Sequence, residues 1–168
     1  MANDAKLNGI GGWLILPVIG LILTPLHIGY ELATTYWSIF AKGYWAVLTT
    51  PGNNTYNPLW APLLSFEILG NVFLLLAALT LLYLLLSKSF HLPKFIVAYF
   101  LADLLFVIVD YTFASNITRI PQHAIDDAMS EIIRSLMVAA IWVPYFLVSK
   151  RVKNTFVRKE AAQLNPAA

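Results

Sequence analysis

The chain has 168 residues, of which 59% are hydrophobic and only 12% charged, about half the charged share of a soluble domain, and its mean hydropathy is +0.70. Those values exclude an ordinary soluble enzyme and point to an all-α membrane protein, because about 20 apolar residues are needed for each spanning helix and four spans fit this length. A net charge of +2 leaves no basic footprint for nucleic acid, and the lack of cysteine excludes disulfides, c-type haem attachment and thiol redox chemistry.

The first apolar run, about residues 12–32, falls almost wholly within "GGWLILPVIGLILTPLHIGYE", residues 11–31. One lysine precedes it and no A-x-A-like site follows, so it reads as a helix rather than a cleaved signal peptide. Pro17 and Pro25 remove donors inside it, freeing the carbonyls of Trp13 and Leu21, and both are expected to bend the helix. Gly12 and Gly20 permit close approach of a neighbour, with no GxxxG dimer motif. His27 stands alone within the span and reads as a packing residue.

Beyond it lies a first outer loop, about 33–59, in which Tyr36, Trp37, Phe40 and Tyr44 recur at helical spacing, with Trp45 beside them. Tryptophan and tyrosine favour the membrane interface, so a short interfacial helix is expected there, closed by the turn "PGNNTYNP". The second span is read at 60–86 and the third at about 94–114. The fourth covers about 130–149, where Pro144 frees the carbonyl of Ala140. Asp126, Asp127 and Glu131 suit the positive end of that last helix.

Orientation follows from the basic residues. Lys6, Lys88, Lys94, Lys150, Arg151, Lys153, Arg158 and Lys159 fall on one side, against Lys42 and Arg119 on the other, which places both termini in the cytoplasm. The expected architecture is one four-transmembrane-helix bundle over 1–157, with a flexible cytoplasmic tail at 158–168. Its basic collar favours anionic lipid head groups.

Polar groups within a bilayer are costly and persist where something offsets them. At 1.5 Å per residue, Glu31, Glu67, Asp110 and Arg134 all fall in the outer half, with Asp103 near the midplane and Asn71 one turn below Glu67. Arg134 is therefore expected to gather carboxylates from neighbouring helices. One cation cannot neutralise four acids, so the cluster is either a set of structural contacts or a water-accessible polar site.

No catalytic motif and no metal-ligand set stands out, and a haem or a retinal would lack its histidine pair or its intramembrane lysine. No cofactor is expected, and no enzyme. "GGWLILPVIGL", Trp60 with Glu67 and Asn71, and "IWVPYFLVSKRVKNTF" resemble the domain-of-unknown-function 2569 family over about residues 9–157. The resemblance implies a small bacterial inner-membrane protein with four spans, and no activity. The expected role is association with itself or with a larger membrane complex. The alternative is a small-solute or proton pathway through the polar cluster.

Overall fold

The computed structural model describes residues 9–118 and 120–156. Lys6, Arg119, Arg158, Lys159 and the tail 158–168 lie outside the described residues. The described chain is helical, and four of its helical stretches are long and apolar enough to span a membrane.

Gly12–Leu14 forms a single 3-10 turn that leads into α1, Ile15–Glu31. Hydropathy falls after Glu31, yet the helix does not stop there. It passes through one π-turn, Leu32–Tyr36, and continues as α2, Trp37–Ala41. The reason is local: "LATTYWSIFAK" contains neither glycine nor proline, so polarity alone cannot end the hydrogen-bond ladder. Gly43 ends it, at φ 72°, in the left-handed region that glycine enters without penalty. The expected interfacial segment is thus divided, with Tyr36, Trp37 and Phe40 extending the first span and Tyr44 and Trp45 opening α3, Tyr44–Thr49. Phe40 and Trp45 stack across the break, with ring centroids 5.4 Å apart.

α4 covers Trp60–Leu86 and α5 covers Leu92–Ser115. Between them Lys88 adopts φ 48°. The Ser89 N–H reaches back to the Leu84 carbonyl at 2.9 Å and the Lys88 N–H to Leu85 at 3.0 Å. This is a Schellman closure with lysine in the position that glycine usually takes, and it satisfies carbonyls the helix end would otherwise leave open. Pro93, in the first turn of α5, costs no intrahelical bond.

α6 spans Gln122–Val148, starting directly after Pro121 and eight residues ahead of its apolar stretch. Pro25 lies inside α1 and Pro144 inside α6, so these two interrupt regular ladders, while Pro17 is the third residue of α1. Ser149 is extended and accepts a hydrogen bond from the Val152 N–H at 3.4 Å, capping the short α7, Lys150–Thr155.

The spanning helices pack in chain order, α1 on α4, α4 on α5, and α5 on α6 along the longest seam. Leu23, Leu26, Phe73, Leu76, Leu101, Leu105, Ile141 and Leu147 point outward and stay exposed, as expected where lipid replaces water. At the end where the described residues begin and finish, Leu14, Leu21, Leu81, Leu85, Leu92, Ile96, Phe146, Val152 and Phe156 form the main core. There Gly9 donates to Thr155 Oγ1 at 3.1 Å and accepts from the same hydroxyl at 3.2 Å. The Arg151 side chain lies against the backbone of Gly11, where an added Cβ would stand 2.9 Å from Nη1. A smaller core, Leu63, Ala114 and Ile117, closes the opposite, loop end.

Candidate functional site

Between the two cores, α4 and α5 approach closely because Gly70 has no side chain. Phe106 of α5 occupies that space, stacked on Phe66 with centroids 4.9 Å apart. One turn toward the loop end, the carboxyl groups of Glu67 and Asp110 face each other within hydrogen-bonding reach. Glu67 lies about 10 Å from the start of α4 and Asp110 about 8 Å from the end of α5. The two acids therefore meet at one depth.

The helix extension past Glu31 supplies the third wall. It carries Tyr36 to α4, where the phenol lies beside the Glu67 carboxyl and its oxygen accepts from Asn71 Nδ2 at 3.2 Å. Asn71 Nδ2 also donates to the Glu67 carbonyl one turn back, at 2.9 Å, which fixes its amide. A continuous line results: Asn71, Tyr36, Glu67, Asp110. At its far end Asp110 Oδ1 is buried and receives no N–H or hydroxyl donor from the described residues. No lysine or arginine among those residues pairs with either acid.

Arg134 does not join this line. It points outward from α6 and pairs with Glu131 of its own helix at 2.8 Å, with side chains 67% and 50% exposed. The physical reason is angular. Ser135, Ala139 and Phe146 form the buried stripe of α6, and Arg134 sits about 100° around the helix from Ser135. An acid three residues back on the same outer face is then the nearest partner. The expectation that Arg134 gathers carboxylates from other helices is corrected on this point.

Asp103 is also separate. It faces α6, where Ser135 Oγ donates to Oδ2, about 10 Å deeper than Asp110 and with Phe106 between the two acids along α5. Glu31 ends α1, accepts from Thr35 Oγ1 at 3.1 Å, and lies within electrostatic range of Tyr36 without joining the line. Thus Glu67, Asn71 and Asp110 come together, while Asp103, Glu31 and Arg134 stand apart. Tyr36 and Ser135 were not foreseen as members. The sequence carried a signal for each: an unbroken helix up to Gly43 for Tyr36, and a small-residue stripe, Ser135 with Ala139, for the serine. A shallow apolar hollow of about 420 Å³, lined by Leu59, Val109, Thr112, Phe113 and Asn116, opens beside the loop end of the acid pair. Among the described residues no three His, Asp or Glu side chains gather as a metal site.

Four helices of spanning length with a carboxyl pair held between them mark a multi-pass membrane protein with a polar site at membrane depth. The chain belongs to the family described as protein of unknown function (DUF2569), whose model matches residues 7–157. Comparison with curated proteins and with solved structures gave no match.

Proposed function

We propose that this bundle is a non-enzymatic proton-handling protein whose working part is the Glu67–Asp110 pair. A hydrogen bond between two carboxyl groups exists only when one of them carries a proton, so a pair with no cation beside it is chemically a site that holds and exchanges protons. That arrangement is the observation carrying the reading. Tyr36 and Asn71 orient Glu67, while Asp103 with Ser135 offers a second station deeper in the bundle. Beyond Asp103 the path meets the core of Leu81, Leu85, Ile96 and Phe146, with Tyr99 and Tyr145 packed against it. Protons are therefore exchanged with the loop side, and passage to the other side requires that core to part.

Lys88, Lys94, Lys150, Arg151 and Lys153 at the terminal end, against Lys42 at the other, support termini in the cytoplasm and an acid pair in the outer half. The cytoplasmic membrane of a bacterium is the setting that the family resemblance supports. Trp37, Phe40 and Tyr44 suit the outer interface, and exposed Lys150 and Lys153 suit anionic head groups.

The test is proton movement into proteoliposomes, followed with an internal pH dye under an imposed gradient. Protein-dependent acidification that Glu67→Gln and Asp110→Asn each abolish is expected. Acidification unchanged by both, or none above empty vesicles, removes the reading.

A second reading, association with another membrane protein or with itself, is favoured by the ion pair on the outward face of α6. A charged pair on a lipid-facing helix is better covered than bare.

A further inference from the structure

We infer that α6 is a self-association surface and that its occupant is a second copy of this chain, with Arg134 and Glu131 exchanged between the copies. The inference rests on the association reading and is independent of the acid pair.

Three features of α6 lead to it. It packs along α5 and makes no comparable seam with another spanning helix, so one whole side is open. On that side Glu131, Arg134 and Ile141 follow one another along a single stripe, with Ile133, Leu136 and Met137 beside them, all strongly exposed. Of the arginine's donors, Nη1 goes to Glu131 Oε1, and Nε and Nη2 project from the same planar fork.

Charge decides the kind of partner. Two copies inserted in the same direction meet about a two-fold axis along the membrane normal, so each residue faces its own equivalent and the patch must complement itself. A face of one sign would repel its copy. This face carries Arg134 with Glu131 three residues away, a rise of about 4.5 Å, which an arginine side chain spans, and Asp127 lies one turn beyond Glu131 toward the loop end. Arg134 of each copy can then reach Glu131 of the other diagonally, giving two arginines and two carboxylates in one closed ring. Lipid tails offer neither charge a partner.

The chain has no cysteine, so single cysteines report contacts cleanly. Ile141→Cys, one heptad deeper than Arg134 on the same stripe, should give a disulfide-linked band of twice the chain mass in native membranes. Leu105→Cys, equally outward but on α5, should not. In the Ile141→Cys background, Arg134→Glu leaves two glutamates at 131 and 134 to meet their equivalents, and Glu131→Arg leaves two arginines there. Each alone should lose the band. Differently tagged copies of the two, expressed together, should recover it as a mixed dimer, which also shows that both variants insert and fold.

A band at the mass of a different protein overturns the second copy while leaving association standing. No band from Ile141→Cys overturns both. A homodimer band unaffected by Arg134→Glu, or no mixed dimer on co-expression, shows that the charges face the head groups instead and ends the inference.

Discussion

Replacing Gly70 by alanine tests the α4–α5 contact on which the acid pair depends. An added Cβ would stand 2.8 Å from Cδ2 and 3.0 Å from Cζ of Phe106, and nearer still to Cε2. The ring cannot simply turn away, because Phe66 is stacked on it at 4.9 Å. The two helices must therefore move apart, and overpacking of this kind costs about 1 to 3 kcal/mol. Three ring carbons inside contact distance place this case at the upper end. Alanine returns about 1 kcal/mol of helix propensity. A net loss of about 2 kcal/mol is expected, read as thermal unfolding in a single detergent. Phe106→Ala leaves a void that can receive the methyl, so the double variant should lose less than the sum of the singles by about 1 kcal/mol or more. Gly70→Ala matching or exceeding the wild type in stability, or strict additivity with Phe106→Ala, would refute the close approach and with it the stated geometry of Glu67 and Asp110.

Two further outcomes are expected. Thr155→Val removes both hydrogen bonds to Gly9, and Gly12→Ala forces an L-residue into φ +56° at a cost of about 1 to 2 kcal/mol. Each should speed amide exchange over residues 9–14, and unchanged protection would mean that the segment at Gly9 is not held by Thr155. Reporter fusions after Lys88 and after residue 160 should read cytoplasmic, and fusions within 50–57 and 118–126 external. A cytoplasmic signal from 50–57 would reverse the sidedness of the proton site.

Much of the bundle was legible in the sequence because lipid imposes a simple rule: a long apolar run between breakers is a spanning helix. The second span coincides with α4, Trp60–Leu86, since "PGNNTYNP" and the turn at Lys88 bound it sharply. Hydropathy misjudges ends where no breaker coincides with the change in polarity. The first helix runs on to Ala41 and the fourth begins at Gln122 for that reason. Depth along each helix was also readable, and it brought Glu67 to the level of Asp110. Direction around each helix was not. Asp103 and Asp110 are one heptad apart and share a stripe of α5, yet one meets Ser135 of α6 and the other Glu67 of α4. Which neighbour each acid meets depends on how the helices cross, and that is fixed by contacts such as Gly70 on Phe106 that no single-helix pattern contains. The charge of Arg134 suggests an inward partner, but its angle, one residue from the buried Ser135, turns it out.

The join between Gly9 and Thr155 gives the molecule an order of assembly. Leu14 and Val152 are both fully covered, and they belong to the same core. A ribosome feeding this chain into a bilayer delivers the first helix long before the residues that seal its end. α1 can pack on α4 once that helix is inserted, yet its base at Leu14 stays unsealed until α7 emerges. Non-local contacts of this span form late, because the connecting chain must exist before its ends can meet. Loss of α7 should therefore leave inserted helices with an unsealed base, a state open to chaperones and membrane proteases. In this protein the last of the described helices is the latch that ends the time the others spend as separate, degradable segments.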